Sequence, residues 1–113
     1  MSDKKHEGWA NYETWAVKLW IDNEESSYDY WRETAQEVFE EAEPRYEGDT
    51  KIKSFVGNMA RRLKEEFEEN APVLEGMWAD LLGAALSEVN WYEIAESYVE
   101  DLEQETEEET EEV

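Results

Sequence analysis

The sequence contains no cysteine and a single histidine, His6. That excludes a disulfide framework, a thiolate nucleophile, a cysteine zinc site and any cluster of histidine ligands. No apolar run approaches the roughly 20 residues needed to cross a bilayer. Residues 1–5 are polar and lack an apolar signal core, so no secretory signal is expected and the expected location is the cytoplasm. No stretch alternates apolar and polar residues over a useful length, which leaves no strand signal. Base is missing too, but unevenly: no lysine or arginine follows Lys64.

Acid takes the place of base. The chain of 113 residues carries 32 Asp and Glu against 10 Lys and Arg, net −22. Residues 1–64 hold 14 acids and all ten bases, while residues 65–113 hold 18 acids. Charge of one sign at this density repels itself and works against the compact state. A net magnitude of roughly 2–8 suffices for the solubility of a small domain, so the excess points to a partner or a habitat.

The apolar pattern has helical spacing throughout. Residues 8–21 hold three of the six tryptophans, and Trp9, Tyr12, Ala16 and Leu19 recur at 3–4 residue intervals. Asn11 is the expected cap of a first helix running to about Asp22. Ser26 or Ser27 is the expected cap of a second, with Tyr28, Trp31, Ala35, Val38, Phe39 and Ala42 inward and Pro44 at its end. Asp49 or Thr50 opens a third, with Ile52, Phe55, Val56, Met59, Ala60, Leu63 and Phe67 as its stripe. The fourth, from Leu74 to Val89, is the most apolar and is expected at the centre of the bundle, or with one side as a dimer surface. Asn90 and Glu93 have the spacing of a capping box for a fifth that buries Trp91, Ile94, Ala95, Tyr98, Val99 and Leu102. The fold class is therefore all-α: one compact bundle of about five helices over residues 9–102, between a disordered lead, 1–8, and a disordered acidic tail, 103–113.

No catalytic constellation stands out. Acids make up 28% of the chain, so pairs of carboxylates at helical spacing arise by chance. Asp22-Asn23-Glu24-Glu25 lacks the glycine and acid spacing of a calcium loop. No enzyme activity, metal or cofactor is expected. Lys51, Lys53, Arg61, Arg62 and Lys64 form a basic strip expected to pair with the protein's own acids. Direct binding to nucleic acid is disfavoured, since the total charge repels phosphates.

The acidic surface is the functional candidate. Its expected binding face consists of Glu65, Glu66, Glu68 and Glu69 with Glu93, Glu96, Glu100 and Asp101. Trp20 and Tyr30 are the expected aromatic contacts, because rigid rings concentrate at protein interfaces. Three explanations compete: mimicry of duplex DNA toward a basic DNA-binding protein, adaptation to high salt, and an acidic adaptor for basic proteins. Surplus rings and the apolar fourth helix add the expectation of a homodimer.

A resemblance sharpens this. The blocks Gly8-Trp9-Ala10-Asn11-Tyr12-Glu13-Thr14-Trp15, Leu19-Trp20-Ile21-Asp22-Asn23 and Tyr30-Trp31 resemble the start of a family of small uncharacterised proteins from phages, plasmids and prokaryotic genomes. Trp78-Ala79-Asp80-Leu81-Leu82 and the run from Ala85 to Ala95 look like the second block of the same family. The Asn-Tyr-Glu-Thr-Trp string marks the family and implies no chemistry. By type alone, the size, helicity, charge and Glu-rich tail are similar to the phage anti-restriction DNA mimic Ocr, with no shared motif. Mobile-element context and acidity together favour the DNA-mimic expectation, of the anti-restriction or anti-CRISPR kind, as an analogy between properties.

Overall fold

Three of the five helices begin at side chains whose capping role is local enough to read from the chain. In the computed structural model, which describes residues 6–102, α1 is Tyr12–Asn23, α2 Glu25–Glu41, α3 Lys51–Asn70, α4 Met77–Glu88 and α5 Trp91–Glu96. Asn11 accepts from the Thr14 N–H, Thr50 from Lys53 and Asn90 from Glu93, each satisfying one orphan donor of a first turn. No strand occurs among the described residues. The expectations for residues 1–5 and for the tail 103–113 lie outside them.

The second helix departs from its expected start. It begins at Glu25, with Glu24 as a cap that makes no side-chain bond, and Ser26 and Ser27 lie inside it. One extended residue separates α1 from α2, so the reversal of the chain sets this start and serine chemistry does not. The lead is also shorter than expected. His6 and Trp9 exchange backbone hydrogen bonds of 2.9 and 2.7 Å across Glu7 and Gly8. Both turn residues have positive φ, 50° and 87°, the pattern of a type I′ turn. The His6 ring then packs edge-on against Tyr12 and Trp15, at 5.2 and 4.5 Å. These ring contacts hold residues 6–8 against α1.

Helices α1, α2, α3 and α5 form a square. Each of α2 and α5 packs against both α1 and α3. The interior holds Ile21 from α1, Trp31, Ala35 and Val38 from α2, Phe55, Met59, Ala60 and Leu63 from α3, and Trp91, Ile94 and Ala95 from α5, with Tyr98 and Leu102 beyond it. Trp31, Phe67 and Trp91 stack in series across three helices, each ring 5.6 Å from the next. Burial of a single large ring contributes roughly 2–3 kcal/mol, so this column is a principal source of stability.

The central helix is α3, and the expectation that α4 fills the centre is overturned. No residue of α4 is buried, and its packing partner is α1. Leu86 packs against the edge of the core, but much of the apolar content faces outward: Met77, Trp78 and Leu81 are exposed, as are Val73 and Leu74 just before it. The fifth helix is likewise interrupted. The Ser97 hydroxyl donates to the Ile94 carbonyl at 2.6 Å, competing with the helix ladder. A turn follows at 97–98, and one more helical turn runs over 99–102.

Candidate functional site

A polar seam joins the start of α1 to the junction between α4 and α5. Thr14 is fully buried. Its hydroxyl donates to Asn11 Oδ1 at 2.6 Å and accepts from the Asn90 N–H at 2.8 Å. The Asn11 amide donates to the Glu88 carbonyl at 2.6 Å, and Glu93 Oε1 accepts from the Ala10 N–H at 2.8 Å. The Asn-Tyr-Glu-Thr string is thus tied to Asn90-Trp91-Tyr92-Glu93. The reciprocal half of the expected capping box is replaced, because the Asn90 N–H is taken by Thr14 and the Glu93 carboxylate by Ala10.

The eight acids of the expected face divide into two groups. Phe67 touches Trp91, whereas Ile52, Lys53 and Val56 share a groove with Glu96 and Val99, so α3 and α5 run antiparallel. Glu65, Glu66, Glu68 and Glu69 therefore sit beside the start of α5. Glu100 and Asp101 sit toward the start of α3. Asp101 lines a recess with Lys18, Asp22 and Arg32, away from Glu65–Glu69. Glu66 is engaged by Arg62 and by the Tyr30 hydroxyl, which donates at 2.5 Å. Glu66 first and Tyr30 second hold the Arg62 guanidinium more firmly protonated. Glu66 and Glu93 are half-buried and structurally employed, while Glu65, Glu68, Glu69, Glu96, Glu100 and Asp101 are exposed.

Of the expected aromatic contacts, Trp20 is 67% exposed and Tyr30 presents part of its ring beside Glu66. Trp78, expected inside, is 63% exposed. Periodicity does not distinguish a ring that meets the core from one that meets solvent, so the sequence carried no signal for it.

The basic strip pairs with acid at one of its five residues among the described ion pairs. Arg62 pairs with Glu66. Lys51 instead donates to the Glu40 and Ala42 carbonyls at 3.4 and 3.2 Å, and lies 4.8 Å over the Phe39 ring. Arg61 donates to Asn58 Oδ1 at 3.0 Å, and Arg45 donates to the same oxygen at 2.6 Å. One neutral oxygen thus holds two guanidinium groups within about 6 Å of each other, a repulsion on the order of 1 kcal/mol near water. Lys53 and Lys64 make no ion pair with a described residue. Arg45, Lys53, Arg61 and Lys64 line a continuous groove, formed by two recesses of about 550 and 290 Å³ that share Gly57, Arg61 and Tyr92.

Among the described residues, no group of three His, Asp or Glu side chains is placed to hold a metal ion. No described helix is long and apolar enough to cross a membrane.

A small acidic all-α domain, with its charge divided between a basic groove and acidic helix ends, is what this arrangement defines. The chain belongs to a family of unknown function, DUF7249, which matches residues 2–112. Both sequence blocks and the seam between them fall inside that match. No curated protein and no solved structure matches the chain.

Proposed function

We propose that the protein is an acidic protein-binding module of the DNA-mimic type. Its carboxylates would occupy the basic DNA-binding groove of a host defence or DNA-handling protein, as an anti-restriction or anti-CRISPR factor of a phage or other mobile element would. The observation that carries this reading is the presentation of the acids. Residues 65–102 hold eleven acids and no base, and nine of the eleven are exposed. The density fits the role. Glu65, Glu68 and Glu69 span about 6 Å of helix axis, an average spacing of roughly 3 Å. A single strand of duplex DNA carries one charge per about 3.4 Å of its axis. Such a surface raises the on-rate to a cationic groove by steering.

The exposed Met77, Trp78 and Leu81 of α4 supply the apolar contact that charge alone lacks. Rings in such patches carry much of the energy of protein interfaces. This face serves the partner or a second copy in a homodimer, with the exposed Trp20 of α1 as a further ring available for contact.

The test is capture of proteins from a prokaryotic lysate at about 150 and about 500 mM salt, with duplex DNA as competitor. Mimicry predicts a DNA-handling protein that DNA displaces. It also predicts loss of capture when Glu65, Glu68, Glu69 and Glu96 are changed to Lys, with the helical signal intact. Capture that survives these reversals, or that DNA does not compete, sinks the reading. Loss of helicity at low salt would instead favour adaptation to a saline habitat.

A further inference from the structure

We propose that the groove along α3 from Lys53 to Lys64 binds a small phosphate-bearing ligand of the nucleotide class. The groove ends where the acids of α3 begin, at Glu65, and its assignment does not depend on the mimic reading.

Four observations converge on it. First, a chain with ten bases among 113 residues puts Arg45, Lys53, Arg61 and Lys64 on one groove. Of the two acids that line it, Asp49 is engaged by the backbone N–H groups of Arg45 and Thr50, and Glu88 stands at the far end. Second, Arg45 and Arg61 converge on the single Asn58 oxygen. Two cations held this close are stabilised by an anion between or above them, and a guanidinium fork matches phosphate.

Third, Ser54 lines the groove at 7% exposure, and its hydroxyl is buried without a hydrogen-bond partner. An orphaned buried hydroxyl beside a cluster of bases is a donor in want of an acceptor. Fourth, Gly57 interrupts a twenty-residue helix where alanine would be more favourable. Its backbone needs no positive φ, and a Cβ there would meet nothing within 4 Å. Neither turn geometry nor packing accounts for a glycine at this position. A groove floor kept clear does, since Gly57 lines both recesses.

The walls indicate what accompanies the phosphate. Tyr92 lines both recesses and Tyr46 lines one, and both rings are exposed beside the bases. An aromatic ring above a cationic floor suits a ligand with a planar base and a phosphate chain. The net charge of −22 selects for small size. A long polyanion meets the repulsion of the whole chain, whereas a mononucleotide touches the bases that line the groove, and acids farther off than a Debye length, about 10 Å at 0.1 M salt, are screened from it.

The experiment is calorimetric titration of the full chain with ADP, with inorganic pyrophosphate and with a short single-stranded oligonucleotide. Each titration uses about 150 mM salt and magnesium present. The expected result is saturable ADP binding with Kd below about 1 mM, tighter than pyrophosphate and tighter per site than the oligonucleotide. The double variant Lys53→Gln, Arg61→Gln weakens ADP binding by about tenfold or more without lowering the melting temperature. Gly57→Ala raises the melting temperature and weakens ADP. Absence of saturable binding by ADP and pyrophosphate overturns the proposal, as does ADP binding unchanged in the Lys53, Arg61 variant. Pyrophosphate binding as tight as ADP overturns the nucleotide assignment, and a preferred oligonucleotide overturns the restriction to a small ligand.

Discussion

Replacing Thr14 by valine isolates the seam that closes the bundle. The side chain is fully buried, and the two residues have nearly the same shape, so packing is held constant while the hydroxyl is deleted. Two hydrogen bonds disappear: the one donated to Asn11 and the one accepted from the Asn90 N–H, which spans 76 positions of sequence. Asn11 keeps its cap bond from the Thr14 backbone at 2.9 Å, so α1 itself is not undone. The lost hydroxyl bond is worth about 1 kcal/mol, and the stranded, half-buried Asn90 N–H about 1–2 more. The expected cost is roughly 2–3 kcal/mol, a fall in Tm of roughly 10–15 °C for a domain of this size. Thr14→Ser keeps the hydroxyl and removes one methyl group, for about 1 kcal/mol. Thermal and urea melts followed by circular dichroism read both variants. The reasoning is refuted if valine costs less than serine, or less than about 0.5 kcal/mol, because the seam would then contribute nothing beyond shape.

Tyr98 carries a buried hydroxyl with no hydrogen-bond partner, and burial pushes its pKa well above the ordinary tyrosine range. The folded state therefore holds it neutral; stability from this group is full below the unfolded pKa of about 10 and is lost as pH rises beyond it. Tyr98→Phe should raise Tm slightly at neutral pH, by up to about 1–2 kcal/mol of relieved desolvation, and flatten the alkaline limb; a loss of Tm would reveal a partner for the hydroxyl. Trp78→Ala should cost under about 0.5 kcal/mol while Trp31→Ala costs about 3–5; equal costs in chemical denaturation would return α4 to the core. Lys51→Met should lower stability by about 1 kcal/mol through lost contacts to the α2 carbonyls and the Phe39 ring, and an unchanged midpoint would show both contacts to be incidental.

Local chemistry was legible in the sequence and distant chemistry was not. Asn11, Thr50 and Asn90 act on a backbone N–H three residues away, so their capping follows from order alone. The stripe of α3 follows from a period of 3.6 residues and places Phe55, Met59, Ala60 and Leu63 inside. Thr14 and Glu93 were opaque because their partners lie 76 and 83 positions away. The misplacement of α4 has a different origin. Apolar composition states that a surface prefers to leave water and does not say what will cover it. A core helix and a helix with an exposed apolar face read alike, and only the arrangement of neighbours separates them. Nothing in the order of residues marks Ser54, Gly57 and Asn58, and their convergence with Arg45 and Tyr92 exists only once α5 is laid against α3.

The charge order of α3 shows how far the parts explain one another. Basic residues at its start and acids at its end oppose its own macrodipole. Lys51, in the first turn of α3, reaches across to the carbonyls at the end of α2, a helix with no base in its own last turn. One helix therefore lends a cation to the negative end of its neighbour, and the local conflict is resolved between elements. Arg62 is likewise absorbed, by Glu66. Lys53 and Lys64 line the groove without an ion pair to a described residue, and Arg61 donates to the neutral Asn58 oxygen. Glu65, Glu68 and Glu69 follow directly on Lys64 and are exposed. α3 is thus the structural centre of the bundle, and the sign of its charge changes between Lys64 and Glu65, with the groove bases before that point and exposed acids after it.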